Sequence, residues 1–436
     1  MREQTLFDLN TSLFEQVYSD DHLREAFNEV KRNHGSPGVD GVSVEMFENN
    51  LDKELGKLQQ EVKSYAYVPR PVRRVEIPKP SGGVRVLGVP SVRDRVIQAS
   101  LRGIIEPILE STFSANSYGF RPGRNQRQAV EAAQAIVQSG KDFVVDIDLS
   151  KFFDRIHHDR LIYRLGLHIA DKRVLRLVGI ILRSGAMSGG VFEETTEGAP
   201  QGGPLSPLLS NLVLDELDKE LEKRGLEFCR FADDCNIFVG SQKSAERVMQ
   251  TVSKFIENKL KLLVNREKSK VAKSSAVKFL GMTIIAGSIA ISMASMSRAM
   301  EKVKELTPRG TNAATEITVK KINQWYVGWS NYYEMTEYPA QLAKIEAHVR
   351  RRMRSRFISQ QKKRRTLFAR LVERGVGRKH AAKTVFSNNG RWSLSHKRAI
   401  EKAYSNAWFI KTLGLKIASN KDYTHWRPVK EWIKLA

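Results

Sequence analysis

Four aspartates stand in two groups where chemistry could be done, and of these Asp146 is read as tuning charge or satisfied by a nearby arginine rather than as catalytic. In VVDIDLS, Asp146 and Asp148 alternate with Val145, Ile147 and Leu149. A strand would send both carboxylates to one face and the apolar side chains to the other. In FADDCNIFV, Asp233 and Asp234 are adjacent, between two apolar runs that read as strands joined by a tight bend. Carboxylates beside an apolar face are costly unless cations or hydrogen bonds answer them. Hard oxygen ligands suit Mg2+, and two such ions roughly 4 Å apart can activate a 3′-hydroxyl and stabilise a leaving pyrophosphate. Such a site needs a buried carboxylate from each of two strands, and only a folded sheet brings Asp148 to Asp233. Turn aspartates satisfied locally are the competing reading, and at this level polymerase and nuclease are both open.

The rest of the composition favours a polyanionic partner. Lys plus Arg outnumber Asp plus Glu by 72 to 48 over 436 residues, a formal charge of +24, which draws nucleic acid to a surface. Thirteen of those cations fall between Arg350 and Lys379 with one acid, Glu373. Apolar residues interleave there, so RRRMRSRFIS reads as a partly buried helix rather than a disordered tail. Two cysteines, Cys229 and Cys235, exclude a disulfide scaffold and a cysteine-rich zinc site. His157 and His158 read as facing solvent or a phosphate. The start MREQTLFDLN is not a secretory signal, and the longest apolar piece, GMTIIAGSIAI, is too short to span a bilayer. A cytoplasmic protein without a membrane partner follows.

The elements that must position the acids read as an α+β arrangement. Residues 1–60 are helical, with Leu23, Phe27 and Val30 at helical spacing. Residues 67–98 hold short β-prone pieces around Ser81–Gly83, a hairpin that would gather Arg73, Lys79 and Arg85 into one basic ribbon. The loop NSYGFRPGRN leads to a helix over 128–138, then to the strand KDFVVDIDLS and directly to a helix from KFFDRIHHDRLIYRLGL. TTEGAPQGGPLSP feeds a helix over 208–224, followed by the acidic hairpin. That order is not the regular βαβ repeat of a dinucleotide-binding domain. Beyond about 290 the chain turns helical, basic and aromatic, and Trp325, Trp329 and Tyr333 share one helical face that reads as core.

Six segments in order now resemble one family. IPKPSGGVRVLGVPSVRDRVIQ, NSYGFRPGRN, DIDLSKFFDRIHHDRL, GAPQGGPLSPLLSNLVLDELDKEL, RFADDCNIFV and NREKSKVAKSSAVKFLG together resemble bacterial group II intron reverse transcriptases, also called maturases. The resemblance runs nearly end to end. It implies a right-hand polymerase: an N-terminal helical extension over 1–60, fingers and palm over 61–290, an all-helical thumb or maturase domain over 291–415, and a short basic segment over 416–436. It implies RNA-directed DNA synthesis with two Mg2+ ions, Mn2+ substituting. The partners would be intron RNA, an RNA template with a DNA primer, deoxynucleoside triphosphates and target DNA, in a bacterial cytoplasm. A splicing factor with a vestigial polymerase site, or a reverse transcriptase domesticated for host repair or defence, is the alternative. No stretch rich in His and Cys follows THWRPVKEWIKLA, so second-strand cleavage is not expected, and the primer would come from another source.

Residue by residue, the resemblance makes Asp148 and Asp233 the metal ligands, Asp234 their acidic neighbour and the Leu149 carbonyl a further ligand. Phe231 and Ala232 stand where many relatives carry Tyr-Ala, so the ring is kept and its hydroxyl lost. Phe153 matches the aromatic position that excludes a 2′-hydroxyl, with Phe152 as its alternative. Gln201 and Gly202 resemble the loop that shapes the nucleotide pocket, and Lys79 and Arg85 the cations that hold the triphosphate. Phe279 and Gly281 resemble the turn that positions the primer end. Arg350, Arg351, Arg354 and Lys362 would grip an RNA duplex.

Overall fold

A computed structural model describes residues 12–78, 83–308 and 310–417. The chain divides into two compact units, Met1–Lys273 and Ser274–Ala436. The first is α+β with two sheets. Its first sheet has the order β2-β1-β4-β5, from β1 (Val72–Pro78), β2 (Val84–Val89), β4 (Ala186–Ser188) and β5 (Val191–Glu193). β1 and β2 form the expected hairpin, with Ile77 opposite Arg85. Arg73 leaves the basic ribbon, however, because its guanidinium donates to the Pro37 carbonyl at 2.8 Å at the other end of β1.

The second sheet positions the acids. Its order is β6-β7-β3-β8, from β3 (Phe143–Ile147), β6 (Glu227–Phe231), β7 (Asp234–Val239) and β8 (Lys270–Lys273). β3 lies between β7 and β8, antiparallel to both, with Ile147 opposite Cys235 and Asp146 opposite Lys270. Helices Gln126–Gln138 and Gln242–Phe255 pack on this sheet. The helix Ser206–Lys223 is buried nearly all round. Its Leu212, Leu214, Leu217 and Leu221 are at most 1% exposed, each stabilising the fold by about 1.5–3 kcal/mol relative to exposure. The same helix also buries Asn211, Asp215 and Asp218, and buried polar groups of this kind require partners.

One predicted helix is broken. KFFDRIHHDRL forms a single 3-10 turn at Phe152–Arg155 and then a separate helix, His158–Gly166. Lys151 enters with φ +50°, which no continuous right-handed helix accepts. His158 is buried rather than solvent-facing, its ring nitrogen 2.6 Å from the Gly198 carbonyl.

The second unit opens with a 3-10 turn, Ser274–Ala276, and then the antiparallel hairpin of β9 (Met282–Ile285) and β10 (Ser288–Ile291). Helices follow from Met293 onward, among them Met293–Leu306, Thr315–Tyr332 and Ala340–Gln360. Tyr326 is fully buried, and its hydroxyl donates to Glu346 at 2.7 Å. The ladder read as core is only partly so: Tyr333 is buried, whereas Trp325 and Trp329 are half-buried and stacked 5.8 Å apart. Among the described residues, no helix is long and apolar enough to cross a membrane.

Candidate active site

The sheet register brings the acids to one edge. Ile147 pairs with Cys235, so Asp148, one residue past the end of β3, stands beside Asp234, the first residue of β7. Phe231 pairs with Asp234, leaving Ala232 and Asp233 as a two-residue turn between β6 and β7. Asp233 is exposed and the Asp148 side chain is 42% exposed. The expectation of buried carboxylates fails because the turn projects Asp233 past the sheet edge. The main chain of Asp148 is tied down instead: its N–H donates to Ser269 Oγ at 3.0 Å and its carbonyl accepts from Asn265 N–H at 2.8 Å. The Leu149–Val264 bridge uses the carbonyl of Asp148 and the N–H of Ser150, so it does not engage the Leu149 carbonyl. Lys268 Nζ lies 4.0 Å from Asp148 Oδ1, a cation beside the acid that sequence reasoning missed.

These oxygen donors fit Mg2+. Among the described residues, no three acidic, histidine or cysteine side chains cluster as a metal cage. Mg2+ commonly takes one or two carboxylates and completes its shell with water and substrate phosphate.

The acidic turn is braced from beneath by residues that sequence reasoning also missed. Ala232 has φ +56°, which costs a non-glycine residue roughly 1–3 kcal/mol and persists only when its surroundings impose it. Arg230 imposes it. That fully buried guanidinium donates to both carboxylate oxygens of buried Asp218, to Asn211 Oδ1 at 3.0 Å and to the Ala232 carbonyl at 2.9 Å. Burial alone would lower its pKa, but the Asp218 carboxylate raises it, so the guanidinium stays charged. Asn211 extends the brace, its amide donating to the Gly119 carbonyl at 2.9 Å. Gly119 lies against the turn so closely that a Cβ there would sit 2.3 Å from Ala232 N. The signals were an arginine inside an apolar strand and two polar residues on a core helix, but nothing local says that they meet.

The neighbouring loop is fixed just as closely. Gly198 N–H donates to the Ile156 carbonyl and Ala199 N–H to the Phe153 carbonyl, each at 2.8 Å, while the Gln201 carbonyl accepts from Gly88 N–H at 2.8 Å. Gly202 has φ +127°, and a Cβ would lie 2.8 Å from the Gly88 carbonyl oxygen. The loop is thus stitched between β2 and the 3-10 turn. Phe152 is buried and Phe153 half-buried, their rings edge-on at 5.1 Å. Gln201 also lines a cavity of about 290 Å3 with Gly88, Asp154 and Glu197. Arg85 is exposed on β2, and Lys79 lies outside the described residues.

Within the second unit, Leu280 and Gly281 both have positive φ in a tight turn closed by paired hydrogen bonds between Phe279 and Met282. Phe279 is buried. A Cβ on Gly281 would lie 2.7 Å from the Tyr333 hydroxyl. The basic run is divided: its first turns fold inward, whereas seven of its thirteen cations are exposed. Arg356 is fully buried, bonded to Thr318 and to the Ala313 carbonyl. Arg350 and Arg354 are 8% and 7% exposed, paired with Glu346 and Glu401 respectively. With Arg351 they line a cavity of about 740 Å3 that also holds Lys344 and His348. Arg351 stacks on Trp392 at 4.1 Å. Lys362 is exposed, as are Lys363, Arg364 and Arg365.

Two family descriptions match the chain. Residues 77–284 match the reverse transcriptases (RNA-dependent DNA polymerases). Residues 296–374 match the maturase-specific domain of group II introns. The chain is 35% identical over 274 residues to protein YkfC of Escherichia coli, covering 54% of this chain and 72% of that one. It is 31% identical to the group II intron-encoded protein LtrA of Lactococcus lactis, covering 62% of this chain and 44% of that one. It is 32% identical to a putative COX1/OXI3 intron 2 protein of Saccharomyces cerevisiae, with 59% and 30% covered. The chain thus spans less than half the length of the latter two. It belongs to the group II intron-encoded reverse transcriptases and maturases.

Proposed function

We propose that this chain copies RNA into DNA at the edge of β3 and β7, and that it binds group II intron RNA to assist splicing and mobility. The observation that carries the reading is the register that sets Asp148 beside Asp234 and the Asp233 turn. Asp148 and Asp233 would hold Mg2+ or Mn2+, joined by the Leu149 carbonyl, with Asp234 adding negative charge. When bound, the metal acidifies the primer 3′-hydroxyl and neutralises charge on the leaving pyrophosphate. The chain supplies the rest. Phe153 would lie under the sugar and leave no room for a 2′-hydroxyl. Gln201 and Gly202 would shape the pocket for the incoming deoxynucleoside triphosphate, and Lys79 and Arg85 would face its phosphates. Phe279 and Gly281 would align the primer end.

In this reading the chain is a right hand: an extension over 1–60, fingers and palm over 61–290, a thumb over 291–415 and a basic segment over 416–436. RNA and target DNA would meet Arg351 and Lys362, with Arg350 and Arg354 reaching phosphates only through their cavity. Purified protein, an RNA template with an annealed DNA primer, deoxynucleoside triphosphates and Mg2+ test it. Template-directed extension that chelation stops is the expected result, and its absence with both Mg2+ and Mn2+ overturns the reading.

A further inference from the structure

Phe120 holds a conformation that packing does not explain. Its φ is +55°, a region bulky side chains rarely occupy, and it is 54% exposed, so burial does not offset the strain. The chain is clamped on both sides of it. Gly119 accepts the Asn211 amide and touches the backbone of Ala232. Arg121 is 7% exposed, donating to Glu110 and to the Ser114 and Ser117 carbonyls. Two residues before Phe120, the Tyr118 N–H donates to the Arg230 carbonyl at 2.8 Å, extending the sheet beyond β6. Between these anchors the Phe120 ring stands 6.4 Å from the Phe231 ring, their planes tilted by 45°. The fold therefore fixes an exposed aromatic ring next to the turn that carries Asp233. Strain maintained in this way clusters at functional sites, and exposed rings beside a nucleic-acid path serve as stacking faces for bases.

We propose that Phe120, with Phe231, forms a ledge that contacts the nucleotides at the reacting end of the primer–template. The proposal rests on the polymerase reading, since it is the acidic turn that brings that end to these rings. Substituting Phe120→Gly separates nucleic-acid binding from folding, because glycine accepts positive φ freely and little packing is removed. Thermal melting, the Kd for a fluorescein-labelled RNA–DNA primer–template without metal or nucleotide, and single-turnover extension are measured for wild type, Phe120→Gly and Phe120→Trp.

A glycine variant that melts at or above the wild-type temperature, yet binds the primer–template on the order of tenfold more weakly, supports the ledge, provided Phe120→Trp stays within about threefold of wild type. A glycine variant that binds and extends like wild type overturns it, as does one that loses binding together with its melting transition. If wild type extends no primer, the polymerase reading falls. The binding comparison then still decides whether the ring touches nucleic acid.

Discussion

Removing the Arg230 guanidinium separates what holds the fold together from what holds the acidic turn in place. Arg230→Met leaves Asp218 buried without its counter-charge, and both side chains are fully buried in the pair. Breaking one partner of such a pair costs about 3–5 kcal/mol, a large share of the roughly 5–15 kcal/mol that stabilises a typical domain. The single variant should therefore melt well below wild type while still folding in the cold. Replacing both partners, Arg230→Met with Asp218→Leu, removes both charges and should recover most of that loss. Neither variant restores the donor to the Ala232 carbonyl. Single-turnover extension should stay depressed by about tenfold or more in both, since a displacement near 1 Å can cost a hundredfold. Denaturant unfolding measures the first effect and rapid-quench extension the second. A double variant that regains both stability and wild-type extension would refute the brace, because Arg230 would then only be answering Asp218.

Four further outcomes follow from the same structure. Phe153→Ala should open space under the sugar and raise ribonucleotide incorporation at least tenfold relative to deoxynucleotide; unchanged discrimination in competition assays would move the gate to Phe152. Burial pushes the His158 imidazole below its usual range, only partly opposed by its bond to Gly198. A histidine buried neutral stabilises the fold above its unfolded pKa of about 6.5, and that stability is lost as pH falls below it. Melting temperature should thus decline from pH 7.5 to 5.5, with a shallower decline in His158→Gln; equal slopes would remove His158 from the effect. Changing exposed Lys362, Lys363 and Arg365 to Gln should lower the salt slope of RNA binding by about one unit for each phosphate that is no longer neutralised. Arg350→Gln with Arg354→Gln should instead lower the melting temperature, since both are buried in ion pairs.

The elements that carry the acids were legible because their patterns are local. Alternation in VVDIDLS reads as a strand, and β3 runs over Phe143–Ile147. FADDCNIFV reads as a bend between strands, and β6 and β7 pair around Ala232 and Asp233. What joins distant segments was not legible. Asp218 and Asn211 lie on a core helix, Arg230 on a strand and Gly119 in a loop, and only folding brings them together. The helix expected from KFFDR failed on one backbone angle at Lys151, which no side-chain periodicity reports. The basic run was read by its charge, yet Arg354 bonds the Tyr404 carbonyl and Arg356 bonds Thr318. Arginine buries its stem and finds partners inside more readily than charge counting suggests.

The role proposed for Asp233 is to hold metal at the edge of the β3–β7 sheet. Its most direct test measures Asp233→Asn for primer–template affinity and for single-turnover extension on RNA at saturating Mg2+. The side chain is exposed on a turn whose backbone is braced by Arg230, so the substitution should leave folding and affinity within about twofold. The loss of a metal-binding carboxylate should reduce extension by at least a thousandfold. Extension within tenfold of wild type by the same folded, binding-competent variant would contradict the account.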